Sequence, residues 1–164
     1  MKSVKKLTVL ALFTTISLTI FLLEALIPPL VPIPGVKLGL ANIVTLILLV
    51  KTNWKDALLV LIARIILGSI FAGQMMSFLY SIAGGLACLL VMAVFYRLLG
   101  KRLLCFISIL GALAHNTGQL LTAAAVLGSG YVFYYYPYLI LSGVITGLFT
   151  GLIAALLYPR LPDM

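Results

Sequence analysis

Apolar residues run along this chain in six long stretches, separated by short polar or proline-containing connections. They fall at about residues 7–27, 36–50, 56–73, 76–96, 103–128 and 137–158. A helix needs about 20 predominantly apolar residues to cross a hydrocarbon core of about 30 Å. The pattern therefore predicts an all-α membrane protein of six transmembrane helices, forming one integral membrane domain over residues 1–164. The second stretch is short: at 1.5 Å per residue it reaches only about 22 Å. Either the preceding loop dips into the membrane or this helix starts below the outer interface. Irregular backbone at that depth is tolerated only where protein buries it or where it lines a cavity.

Composition removes the other classes. Of the 164 residues, 64% are hydrophobic and 9% charged, and the mean hydropathy is +1.28. Soluble domains average roughly 45–50% apolar and about 25% charged residues. A soluble fold of this length could neither bury that much apolar surface nor coat itself with so few charges. A soluble enzyme, a nucleic-acid-binding domain and a disordered chain are excluded. Cys88 and Cys105 stand alone in apolar runs, at no metal-ligand spacing, and read as packing residues.

The net charge of +8 matters through its placement. With six spans and the N-terminus inside, the cytoplasmic segments hold Lys2, Lys5, Lys6, Lys51, Lys55, Arg97, Lys101, Arg102 and Arg160. These are nine of the eleven basic residues, as the positive-inside rule requires. Lys37 falls at the start of the second helix and Arg64 inside the third. Both termini are expected in the cytoplasm of a multi-pass protein of the cell membrane, the bacterial cytoplasmic membrane. Lys2, Lys5 and Lys6 before an apolar run also suit a signal peptide. The run from Leu7 to Leu23 is long for one, and Pro28 and Pro29 follow in place of a cleavage site, which favours a retained helix.

The connections and helix faces differ in character. Pro28, Pro29, Pro32, Pro34 and Gly35 make a stiff outer loop, since each proline fixes its own φ and restricts the residue before it. Tyr131, Phe133, Tyr134, Tyr135, Tyr136 and Tyr138 suit either an interfacial belt or a roof over a site. Gly143, Gly147 and Gly151 recur every four residues and predict a flat packing face, as Gly84 and Gly85 do on the fourth helix. Ala11, Thr15 and Thr19 repeat likewise on the first helix, for internal packing or for a partner protein.

Ionisable and amide side chains inside the membrane are expensive and face a cavity or a partner. Arg64 is near the middle of the third helix. His115, Asn116 and Gln119 lie at spacings that place them on one side of the fifth. Asn42 is half-way along the second helix, and Glu24 and Lys37 flank the proline loop. Two readings cover this set. In one, these seven residues line an outward-facing pocket whose excess positive charge suits a carboxylate or phosphate, with Arg64 presenting its planar fork of donors. In the other, Arg64 pairs with Glu24 and the amides merely link helices.

The chain has no phosphate-binding P-loop, no clustered acids of the kind that hold Mg²⁺, and no nucleophile elbow. No catalytic residue and no metal ligand is therefore expected, nor a cofactor of its own.

Residues 34–43 (PGVKLGLANI), 63–68 (ARIILG), 78–85 (FLYSIAGG) and 114–119 (AHNTGQ) resemble the Gx transporter family, also labelled heptaprenyl diphosphate synthase component I. That family is similar in turn to the substrate-binding S components of energy-coupling factor (ECF) transporters. The resemblance implies a six-helix bundle with cytoplasmic termini that binds a small molecule from outside, the loop after the first helix acting as a gate. It also implies partners: a transmembrane coupling protein, met by an Ala-x-x-x-Ala pattern on the first helix, and two ATPases. Ala11 matches the first position of that pattern, and Thr15 replaces the second alanine. The expected function is ligand binding for import of a small anionic or amphipathic metabolite such as a vitamin, quinone or isoprenoid precursor. The second label implies instead a non-catalytic membrane subunit or scaffold for polyprenyl diphosphate synthesis.

Overall fold

A computed structural model of the chain describes residues 3–27, 37–73 and 75–161. Six α-helices make up nearly all of it: α1 (Ser3–Glu24), α2 (Asn42–Lys51), α3 (Trp54–Ala72), α4 (Met75–Leu99), α5 (Leu104–Leu127) and α6 (Tyr136–Leu157). Short 3₁₀ turns occupy Gly100–Leu103, Gly130–Tyr135 and Tyr158–Arg160. No strand occurs among the described residues. The helical stretches Val4–Glu24, Met75–Leu127 and Gly130–Arg160 are long and apolar enough to cross a membrane; the second comprises α4 and α5 with the turn between them. The chain is a helical membrane protein.

Local chemistry sets the helix ends. The Asn53 side-chain oxygen accepts from the backbone N–H of Asp56 at 3.0 Å, and its amide group donates to Asp56 Oδ2 at 2.7 Å, capping α3. Asp56 also meets the positive end of the helix dipole. Helices α3 and α5 both stop at a left-handed glycine, Gly73 (φ 62°) and Gly128 (φ 60°). Five helices match the predicted stretches to within a few residues. Helix α2 does not: the apolar run suggests 36–50, whereas the helix begins only at Asn42, and residues 37–41 approach it as irregular backbone.

Helix α2 is the axis of the molecule. Helices α1, α3, α4, α5 and α6 pack side by side in that order around it, and it touches all five. Nine of its ten residues are buried. Leu46 and Leu48 meet Leu61, Ile65, Met92 and Ile107 in the main core. The ring is open at one place, between α6 and α1. The outward faces carry Ile66, Ile70, Phe71, Leu90, Leu121, Leu141 and Ile145, all exposed, a coat suited to lipid and not to water.

Helices α5 and α6 approach almost to backbone contact. A Cβ on Gly147 would sit 2.6 Å from the Cα of Ile109, and one on Gly151 would sit 2.7 Å from the Cα of Cys105, so the predicted glycine face is the seam. A Ser108–Thr150 hydroxyl pair at 2.8 Å lies in the same seam. At one end of the bundle Lys6 Nζ pairs with Asp56 Oδ1 at 2.7 Å, joining the starts of α1 and α3. There too Lys51 Nζ donates to the carbonyl of Leu161 at 2.7 Å. At the other end, residues 37–41 cross the bundle between α1 and α5.

Candidate functional site

Glu24 closes α1 and is buried, 4% exposed. Its carboxylate accepts from the backbone N–H of Gly39 at 2.5 Å and of Leu40 at 3.0 Å. Charge-assisted bonds of this kind are the stronger ones, and they tie down the segment that leads into α2. Gly39 takes φ +81°, a conformation that costs any other L-residue strain. It also lies against α5: a Cβ there would meet His115 Cδ2 at 2.8 Å and Asn42 Nδ2 at 2.9 Å.

Phe21 precedes Glu24 by three residues and so shares its face of α1. Lys37 Nζ sits 3.5 Å from the centre of its ring, and the Arg64 guanidinium carbon 5.6 Å from it, both within cation–π range. Gly68 makes room for this ring, since a Cβ there would fall 2.5 Å from Phe21 Cε1. Arg64 is 2% exposed; its Nη2 donates to Asn42 Oδ1 over a long 3.4 Å. Contact pairing of Arg64 with Glu24 does not occur. The carboxylate is engaged by backbone amides, and its charge reaches Arg64 and Lys37 through space.

Helix α5 supplies the facing wall. Gln119 Oε1 accepts from the backbone N–H of Lys37 at 3.3 Å. Gly84 of α4 lets that helix press on the same residues: a Cβ there would lie 2.9 Å from Gln119 Cγ and 3.0 Å from His115 Cε1. The imidazole is thus held between Gly39 and Gly84. Asn116 turns away to α6, donating to the Leu139 carbonyl at 2.7 Å and to Ser142 Oγ at 3.5 Å. It joins the α5–α6 seam, while His115 and Gln119 face inward.

Six of the seven predicted site residues therefore meet: Glu24, Lys37, Asn42, Arg64, His115 and Gln119. Among the described residues, Lys37 Nζ, Arg64 Nε, both ring nitrogens of His115 and Gln119 Nε2 in this cluster are buried without a hydrogen-bond partner, as is Ser77 Oγ on α4. An unsatisfied buried polar group costs about 1–3 kcal/mol, so this concentration in one place is expensive for the fold. Two cations against one acid give that spot a positive balance.

Phe21, Gly39, Gly84 and Ser77 are missed by a reading that searches for polar side chains in apolar runs. Phe21 could have been found from its i, i+3 relation to Glu24. Pro28, Pro29, Pro32, Pro34 and Gly35, the expected gate, lie outside the described residues. Ala11 and Thr15 are exposed on α1, and the Thr15 hydroxyl bonds back to the carbonyl of Ala11 at 3.1 Å. Tyr131, Tyr134 and Tyr138 are largely exposed.

Two grooves lie apart from the cluster. One, of about 560 Å³, fills the gap between α1 and α6 and is floored by α2. The other, of about 480 Å³, lies at the end of the bundle that holds Asn53, Trp54, Tyr96 and Arg97.

No curated protein and no solved structure matches the chain. A family model does, over residues 13–157: heptaprenyl diphosphate synthase component I. That span takes in α1 from Phe13 onward, the other five α-helices and the whole polar cluster, and the chain belongs to the heptaprenyl diphosphate synthase component I family.

Proposed function

We propose that this chain is a ligand-binding membrane subunit whose buried polar cluster receives the anionic group of a small metabolite. The observation that supports the reading is the set of buried polar groups around Arg64 that find no partner among the described residues. Arg64 and Lys37 supply the charge, His115, Gln119 and Asn42 orient the ligand, and Glu24 holds residues 39 and 40 over it. In this reading the chain crosses the cytoplasmic membrane of a bacterium six times, the second crossing made by the irregular residues 37–41 together with α2; the basic end of the bundle lies in the cytoplasm with both termini, and the ligand enters from the outer side. The chain works without a cofactor and catalyses no reaction. The resemblance of its sequence motifs to the S components of ECF transporters supports a receptor of an importer, with a coupling protein meeting Ala11 and Thr15 on α1 and ATPases supplying the energy.

A ligand that binds only the folded state stabilises it by RT ln(1 + [L]/Kd), about 2.7 kcal/mol at a hundredfold excess over Kd. A thermal-shift screen of the purified protein against anionic vitamins, quinone precursors and short prenyl phosphates is expected to give a hit that Arg64→Ala abolishes. A hit that Arg64→Ala leaves unchanged overturns the site.

The family description favours a second reading, a non-catalytic membrane subunit of polyprenyl diphosphate synthesis. The cluster holds a single acid, Glu24, so the metal-assisted step would belong to a partner. Affinity purification separates the two: ATPase subunits in the eluate support the receptor, and a soluble acid-rich prenyltransferase supports the synthase subunit.

A further inference from the structure

The groove at the end of the bundle where α3 begins and α4 ends has a graded lining. Buried Leu49 of α2 floors it, Trp54 opens its α3 wall, and Ala93, Val94, Tyr96 and Arg97 form its α4 wall. Ala93 and Val94 are apolar, and Arg97 follows Ala93 by one helical turn, about 6 Å closer to the end of the bundle. Tyr96 lies between them along α4, with Trp54 across the groove; these are the aromatic residues favoured where hydrocarbon meets water. Leu90, Val94 and Leu98 recur every four residues and are all exposed, so the α4 wall continues a lipid-facing stripe.

The polar groups of the lining divide into engaged and unengaged ones. Thr52 donates its hydroxyl to the Leu48 carbonyl at 2.8 Å, and the Asn53 side chain is taken up by Asp56. The Arg97 guanidinium, the Trp54 indole N–H and the Tyr96 hydroxyl have no hydrogen-bond or ion-pair partner among the described residues, and each can donate. The rim adds positive charge. Lys55 Nζ lies 5.8 Å from the centre of the Trp54 ring, and Lys101 and Arg102 follow in the exposed turn after α4. Asp56, the acid at this end among the described residues, is already paired with Lys6 at 2.7 Å.

We propose that this groove seats an anionic phospholipid of the surrounding leaflet, its headgroup phosphate on Arg97 and the start of an acyl chain along Ala93 and Val94. Unengaged donors select an acceptor, and the surplus of cations selects a negatively charged one. The apolar-to-basic gradient runs in the same sense as a lipid standing in its leaflet, tail inward and phosphate at the surface. Basic pockets between membrane helices hold anionic headgroups in this way. The site is separate from the Arg64 cluster at the other end of the bundle, and neither reading depends on the other.

Trp54 is the chain's single tryptophan, so tryptophan fluorescence reports on this groove. The test places the full chain in phosphatidylcholine vesicles and adds phosphatidylglycerol or phosphatidylcholine brominated high on the acyl chain, bromine quenching the indole at contact. Phosphatidylglycerol is expected to occupy the site beside Trp54 with a relative association constant about fivefold above that of phosphatidylcholine. Arg97→Gln is expected to bring the ratio to within about twofold, and Arg97→Lys, which keeps the charge, to hold most of it. Lys5→Gln, which removes a charge from an exposed position on α1, is expected to leave the ratio unchanged. Equal quenching by the two lipids overturns the proposal. So does a ratio that Arg97→Gln and Lys5→Gln lower alike, since the lipid is then drawn by the charge of the whole end and not by the groove. Recovery of emission with excess glycerol phosphate also overturns it, assigning the groove to a soluble phosphate compound. Quenching by neither lipid does the same, since the groove is then closed to the bilayer and faces a protein. Should Arg97→Gln fail to fold, phosphatidylglycerol with a photoreactive headgroup decides on the parent protein: cross-links to peptides carrying Trp54 or Arg97 support the seat, and cross-links elsewhere refute it.

Discussion

Replacing Arg64 with methionine separates a binding role from a structural one. Among the described residues the guanidinium gains one hydrogen bond at 3.4 Å, a ring at 5.6 Å and the through-space charge of Glu24, with Nε unpartnered. A hydrogen bond contributes about 0.5–1.5 kcal/mol, and at this length the lower end applies. The cation–π contact adds about 0.5–1 kcal/mol, more where it is desolvated. Against these stands the desolvation of a buried charge, several kcal/mol even after relaxation. Methionine keeps the apolar stem and fills irregular space. Arg64→Met is expected to leave stability within about 1 kcal/mol of the parent, because the desolvation it relieves offsets the attraction to Glu24 that it removes, and that carboxylate keeps the Gly39 and Leu40 amides and the charge of Lys37. Breaking a true buried ion pair costs about 3–5 kcal/mol instead. The assay is reversible unfolding in mixed micelles, parent and variant side by side without ligand, followed by the thermal-shift screen. A loss of 3 kcal/mol or more refutes the reasoning, since it assigns Arg64 to holding the bundle together. Unchanged stability with lost ligand response is the expected pair of results.

Three further substitutions probe the frame around the site. Glu24→Gln removes the charge that holds the Gly39 and Leu40 amides and is expected to cost about 1.5–3 kcal/mol; hydrogen exchange should quicken at residues 39 and 40 first, and unchanged protection there counts against the clamp. Gly147→Ala puts a methyl 2.6 Å from the Cα of Ile109 and is expected to destabilise by about 1–3 kcal/mol through overpacking, read from the unfolding midpoint; a neutral result means the α5–α6 seam is looser than described. Asn53→Ala deletes the α3 cap and is expected to cost about 0.5–2 kcal/mol, with Asn53→Asp restoring most of it in the same assay.

Five helices were legible because membrane spans announce themselves by length and apolarity, and because stops such as Gly73 and Gly128 and the cap at Asn53 act locally. The start of α2 was not legible. Leu38, Leu40 and Ala41 continue the apolar run, and nothing nearby says that Glu24, fifteen residues back, captures the amides of Gly39 and Leu40. A long-range acceptor outweighs local propensity there. The candidate site was largely legible from its ionisable and amide residues, since membranes make these costly wherever they occur. Their partners were less so. Helical spacing puts Asn116 beside His115 and Gln119, yet one residue of rotation is about 100°, enough to turn its amide to the Leu139 carbonyl on α6. Phe21 and Gly39 escaped because an aromatic ring or a glycine in an apolar run carries no chemical flag.

The shortness of α2 bears on how the protein is made. Ten residues rise only about 15 Å, half of a typical hydrocarbon layer, so this helix cannot partition into the bilayer as an independent unit. It must be carried in by its flanking spans, and its full set of neighbours exists only once α6, the last to be synthesised, has arrived. The middle of the molecule is therefore the final part to settle during biogenesis, and the polar cluster at its tip is assembled only once α5 has brought His115 and Gln119 to it.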